Sequence, residues 1–222
     1  MMKNISLFVL FCPIFILISC KNSGPNGPEK IRQSLSLYPL SVGNKWVTKS
    51  NFLVMGELYS TPYHDIYQVL KDSLINNKQY FLIQKTTTFH HVGYSTPHAQ
   101  YRWRRVDSKT GIVYQFDMKN KNENIELDLT ASPGDTIFHY GYKIKKCTEF
   151  DSVMVFGEYR MAKAYSTSDV YTYEREKFVE GIGFYTAYQN YEFSSSSDSL
   201  AFALVNNVSY GDISLASLKG RK

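Results

Sequence analysis

Through the central part of the chain, apolar and polar residues alternate at a spacing of two, the repeat that sends successive side chains to opposite faces of a β-sheet. Ile125, Leu127 and Leu129 alternate with Glu126 and Asp128, and Tyr140, Tyr142 and Ile144 with Gly141, Lys143 and Lys145. Tyr101 and Trp103 alternate with Arg102 and Arg104. Each run predicts a half-buried strand with its apolar residues turned to the core. Turn signals separate such runs at hairpin spacing: Asn76-Asn77, Asp107 to Gly111, Ser132-Pro133-Gly134-Asp135, Gly157 and Asn206-Asn207. From Leu200 to Val205 both alternating sets are apolar, which predicts a strand covered on both sides. The serine run Ser194 to Ser197, with Asp198 and Ser199, predicts a flexible loop tip. Helical periodicity is confined to Glu29 to Leu37, just after Pro28. The expected fold is all-β: one domain over 32–215, an antiparallel meander forming a curved sheet or partial barrel, with a basic tail at 216–222.

The first residues follow a different pattern. Lys3 precedes an apolar run from Ile5 to Ile18, broken only by Ser6, Cys12 and Pro13, which is shorter than a membrane span and reads as the core of a secretory leader over 1–19. The run ends in Leu17-Ile18-Ser19-Cys20, which resembles the bacterial lipobox. That resemblance implies cleavage before Cys20, lipidation of its thiol with acyl chains such as palmitate, and attachment to a membrane of the cell envelope. Lys21, in place of Asp, implies the outer membrane. The stretch 20–31, opening Cys20-Lys21-Asn22-Ser23-Gly24-Pro25-Asn26-Gly27-Pro28, is expected to act as a tether.

The roughly 200 residues that follow are enough for one all-β domain with a sizeable core. Loss of the leader removes Lys3 and lowers the formal charge of +5 by one, leaving a mildly basic chain. Nucleic-acid binding calls for a concentrated basic stripe, whereas Arg102, Arg104 and Arg105, and Lys143, Lys145 and Lys146, are short clusters within alternating runs. They are expected to be solvated strand faces, and no nucleic-acid partner is expected. With Cys12 removed and Cys20 acylated, Cys147 is left as the single thiol, expected as a small buried apolar group.

Three segments together resemble an uncharacterised family of exported β-rich proteins found in Bacteroidota. They are Tyr38-Pro39-Leu40-Ser41-Val42-Gly43-Asn44-Lys45-Trp46; the stretch from Arg105-Val106-Asp107 through Thr110-Gly111 and Val113-Tyr114 to Pro133-Gly134-Asp135-Thr136; and Glu180-Gly181-Ile182-Gly183 with Leu204 to Asp212. The resemblance implies a curved antiparallel sheet of cell-envelope type and assigns no activity. Many members of that family continue into a secretion-sorting domain, and here the lipid is expected to take that role.

The sequence holds no Cys-x-x-Cys, His-Glu-x-x-His, Gly-x-Ser-x-Gly, phosphate loop or dinucleotide fingerprint, and no cofactor is expected. His90, His91 and His98, with His64, are the best metal-ligand candidates, although adjacent strand residues face apart. Glu174 and Glu176 would share a strand face as a glycosidase pair might, with Glu180 nearby, yet Arg175 and Lys177 suggest an ordinary charged edge. Asn207-Val208-Ser209 fits a glycosylation acceptor that carries little weight in a bacterial chain. The abundant tyrosine and phenylalanine suit either a core or a ligand-lined cleft. The expected function is that of a non-catalytic envelope module binding an apolar small molecule or an envelope protein. A structural surface protein without a ligand, and a glycan or peptide hydrolase using Glu174, Glu176 or His91, are the alternatives.

Overall fold

The computed structural model describes residues 28–54, 57–88, 98–191 and 194–217. The leader, Cys20 and the first part of the tether, together with His90 and His91, lie outside the described residues. The described chain opens with α1 (Pro28–Leu35), so the last residues assigned to the tether form its first turn. Pro28 suits that position, where its missing N–H would have no helical partner.

Thirteen strands follow: β1 (Lys45–Val54), β2 (Glu57–Ile75), β3 (Lys78–Thr88), β4 (His98–Val106), β5 (Ile112–Asp117), β6 (Asn122–Asp128), β7 (Thr136–Tyr140), β8 (Lys143–Val155), β9 (Glu158–Ser168), β10 (Thr172–Val179), β11 (Gly183–Tyr191), β12 (Ser194–Val205) and β13 (Val208–Gly211). A 3-10 turn, Ile213–Ser217, completes the described chain. The sheet runs β6-β5-β4-β3-β2-β1-β12-β11-β10-β9-β8-β7, with β13 paired to β12. It is therefore two antiparallel meanders joined by the β1–β12 pair, curled until the sheet is nearly closed into a barrel. Closing the sheet removes most exposed strand edge, the feature that invites aggregation.

The turns follow the local chemistry of the sequence. Asn76-Asn77 and Asn206-Asn207 have positive φ at both positions, the conformation that a two-residue hairpin needs and that asparagine tolerates. The Leu200 to Val205 stretch is central as expected, with Phe202 and Ala203 both buried between β1 and β13. The serine run is not a loop tip. Ser194 to Ser199 form the first half of β12, paired in register with β1 on one side and β11 on the other.

One end of the barrel is floored by the segment between α1 and β1. Trp46 Nε1 donates to the Ile182 carbonyl at 2.6 Å, and the buried Asn44 ties Pro39 O to Asn206 N through its side-chain amide. Gly183 sits against this floor at φ +94°, where an added Cβ would lie 3.2 Å from the Trp46 ring and 3.1 Å from Pro39. The first and third segments that carry the sequence resemblance thus meet at one structural joint. Near the β6/β7 seam, Lys163 Nζ donates to the carbonyls of Leu129 and Ala131, each at 2.7 Å, and Tyr165 donates to Asp128 O at 2.8 Å. Cys147 is fully buried beside them, and burial pushes its thiol up, which favours the inert protonated form.

On the opposite face of β3 and β4, Glu123 accepts from Arg105 Nε and Lys78 Nζ, each at 2.5 Å, and from the Tyr80 hydroxyl. The Arg105 hydrogen bond outweighs burial and, with Lys78 and Tyr80, holds the Glu123 carboxyl down at about 2. A carboxylate depressed in the folded state stabilises fully above its ordinary value of 4.5 and loses that contribution as pH falls toward about 2. The stability difference between the native chain and Glu123→Gln should therefore shrink steadily across that window in denaturant titrations. A difference independent of pH would show that the ion cluster contributes nothing.

Candidate functional site: a charged and aromatic barrel lumen

Between the Trp46 floor and the seam the barrel is not filled, and a cavity of about 370 Å³ remains. That size falls in the ordinary range for small-molecule sites. Its wall is built by period two. Ile83 and Lys85 come from β3, Gln100, Arg102 and Arg104 from β4, and Glu174, Glu176 and Phe178 from β10. Tyr38, Leu40, Trp46, Tyr67 and Phe184 add an aromatic and apolar base, with the Tyr67 and Phe184 rings 5.0 Å apart.

The alternation along β4 is as expected, but the faces are reversed. Tyr101 is exposed on the outside, while Arg104 points into the lumen with 13% of its side chain exposed. The basic clusters are therefore only partly solvated. Arg102 and Lys143 remain exposed, whereas Arg105 and Lys145 are buried. Arg104 donates to the Tyr38 hydroxyl at 2.6 Å and to Glu126. Glu126 reaches it through a bulge: Val113 pairs with Leu127 and Tyr114 with Ile125, leaving Glu126 as the extra residue. The same bulge puts Ile125 outside at 41% exposure, against the expected alternation. Tyr140 and Tyr142 are also exposed, because Gly141 turns the chain between β7 and β8 there.

Burial tends to neutralise Arg104, but Glu126, Tyr38 and Glu176 together outweigh it and the guanidinium is held charged. Burial dominates at Tyr38 and pushes its phenol up to about 12. Glu174 and Glu176 share the lumen face, as their spacing predicts, yet β10 is an interior strand between β9 and β11 and not a charged edge. Glu176 bonds Lys145 Nζ at 2.9 Å. Burial would raise its carboxyl, but Lys145, Arg104 and Arg102 prevail and lower it, so Glu176 stays ionised and is a poor proton donor. Glu180 sits in the β10–β11 turn and lines a separate pocket of about 130 Å³ beside α1.

At the other side of the lumen, Asp65 pairs with Lys85 at 2.7 Å and accepts from Thr87 at 2.5 Å. Asp198 also lines the cavity, and its Oδ1 is closed off from water with no hydrogen-bond partner. Among the described residues no group of three or more His, Cys, Asp or Glu side chains is arranged to hold a metal. His64 lies in β2 and its carbonyl accepts from Thr88, while His98 is the first residue of β4. Tyr67, Lys85, Gln100, Glu126, Phe184 and Asp198 are wall or wall-supporting residues that sequence patterning did not single out.

No protein-family profile matches the chain, and no curated protein does. Among solved structures, it is similar to a presumed exported protein with a YmcC-like fold from Bacteroides fragilis. That likeness has 12% identity and a TM-score of 0.46, covering 73% of this chain and 96% of that one. It is also similar to a presumed lipoprotein from Parabacteroides distasonis, at 12% identity and a TM-score of 0.41, over 74% of this chain and 96% of that one.

Proposed function

We propose that this chain is an exported protein held at a bacterial envelope membrane by lipid on Cys20, and that its barrel binds a small amphipathic molecule in the lumen. The observation that carries the binding reading is the cavity itself, an unfilled lumen with rings at its base and charged side chains turned inward. A protein of purely structural role would fill such a space with apolar side chains, since interiors pack to near-crystalline density and buried charges are costly. A wholly apolar ligand would strip water from the lumen-lining Arg102, Glu174 and Asp198 side chains without replacing its hydrogen bonds, so the ligand carries polar groups as well as an apolar body.

The anchoring reading rests on Leu17-Ile18-Ser19-Cys20 and the apolar run before it, with Lys21 favouring the outer membrane. Among the described residues no helix is long and apolar enough to cross a membrane. Cys20→Ser is expected to abolish incorporation of a palmitate analogue and to move the protein from the membrane to the soluble envelope fraction. Unchanged labelling would place the lipid elsewhere or remove it from the account. For the lumen, native mass spectrometry of the Cys20→Ser domain purified from the envelope should show an extra small mass that is lost on denaturation. A bare chain mass from several mild preparations would count against a resident ligand.

A further inference from the structure

We propose that Asp198, with the Ser50 hydroxyl beside it, is the docking point in the lumen for a protonated primary amine carried on an apolar body. This rests on the lumen-binding reading and names the chemistry of its ligand. Charge is unevenly matched around the cavity. Three inward carboxylates each face a cation: Asp65 faces Lys85, Glu126 faces Arg104, and Glu176 faces Lys145. Glu174 is half-buried at the lumen wall. Asp198 has no cation within ion-pair distance among the described residues, and its Oδ1 is buried without a well-formed hydrogen bond. A lone carboxylate enclosed in this way is costly unless something brings it a positive charge or a proton.

The register shows what surrounds it. Asp198 lies opposite Ser50 on β1 and Ala187 on β11, and Ser50 lies opposite Tyr63 on β2. Thr48, two residues from Ser50 on the same face, lies opposite Asp65. The Ser50 hydroxyl is completely buried and interacts with both Asp198 and Tyr63, while the equally buried Thr48 hydroxyl makes no well-formed hydrogen bond. An ammonium has three donors and no acceptor, which matches a carboxylate with a hydroxyl oxygen beside it. A carboxylate or phosphate ligand would instead meet both Asp198 and Asp65. The neighbouring rings tolerate a cation, since Lys85 Nζ already lies 5.3 Å from the centre of the Tyr67 ring. From Asp198 the cavity runs to Tyr67, Phe184 and Trp46, which suit the apolar body.

Without ligand, burial raises the Asp198 carboxyl, Ser50 opposes this, Asp65 adds to it and Lys85 opposes it. The charged and titratable groups facing it are Tyr63 and Asp65 from β2 and Lys85 from β3. A bound amine stabilises the ionised form, so amine affinity falls as pH drops through the raised value.

The test uses the Cys20→Ser domain and three probes with the same chain: hexylamine, hexanol and hexanoate, followed by NMR. Hexylamine should bind at least about tenfold more tightly than hexanol, the advantage of a hydrogen bond to a charged group. Saturation should lower the pKa read from the Asp198 carboxyl carbon. Asp198→Asn should remove the preference, so that hexylamine binds no more tightly than hexanol. If that variant fails to fold, the carboxyl titration in the unaltered domain decides alone. Equal binding of hexylamine and hexanol, or a preference for hexanoate, overturns the amine subsite and leaves lumen binding standing. Failure of all three probes to bind overturns both. A carboxyl shift as large with sodium chloride alone overturns the amine in favour of a bare cation.

Discussion

Trp46→Ala is expected to lower the free energy of unfolding by about 3–5 kcal/mol, the range for removing a large buried ring. Trp46 is 5% exposed and packs with Val69, Ile83, Ile182 and Val205 at the floor of the barrel. Its indole N–H also satisfies the Ile182 carbonyl, and Gly183 has no Cβ with which to fill the vacated space. Both the cavity term and the orphaned carbonyl therefore act in the same direction. For a domain of this size the melting temperature should fall by roughly 10 °C or more. Trp103→Ala is the internal control, because that ring is half-buried and lies beside Lys71. It should cost only about 1 kcal/mol, near the average for point substitutions. Equal losses in thermal and denaturant unfolding would show that the floor joint is not what closes this end.

The second large effect is expected at Arg104. Arg104→Ala leaves Glu126 charged and shielded inside the barrel and should cost about 3–5 kcal/mol, as breaking one side of a buried ion pair does. Glu126→Gln alone should also destabilise, because it leaves the guanidinium without its carboxylate. The pair Arg104→Met with Glu126→Gln removes both charges and should recover most of the loss, giving a coupling energy of about 2 kcal/mol or more. Strictly additive losses would show that the two side chains do not depend on each other. The bulge that turns Glu126 inward would then need another explanation.

These two residues also show how far the sequence could be read. Alternation told the strands from the turns, and the Asn-Asn pairs and Gly157 marked hairpins that the structure contains. Period two, however, separates two faces without naming the inner one. Usage normally settles that by putting apolar residues inside, and along β4 this lumen reverses the rule, with Arg102 and Arg104 in and Tyr101 out. Glu126 was unreadable for a different reason, since a bulge depends on pairing with β5 and leaves no mark in its own strand. Ser194 to Ser199 looked like a loop because serine has little intrinsic strand preference. Two flanking strands supply the backbone bonds there, and a polar lumen accepts serine side chains such as Ser196, which is 8% exposed. Asp198 was passed over with that run, although it became the most unusual carboxylate in the wall.

The fold joint was more legible than the site. Tyr38 to Trp46 and Glu180 to Gly183 stood out as motifs rich in Gly, Asn and Trp, and they meet through Trp46 and Ile182. Their chemistry is structural, so they could be seen without knowing what the lumen holds.

The most direct test of lumen binding is to block the cavity from within. Ala187 lines it opposite Asp198, and Ala187→Trp would fill much of the space without touching the floor or the Arg104–Glu126 pair. Native mass spectrometry of matched preparations should show the copurifying small mass on the unaltered domain and at least about tenfold less of it on the blocked one, the loss expected when a ligand is displaced by steric clash. Equal retention by a folded Ala187→Trp barrel would place the molecule outside the lumen and contradict the account.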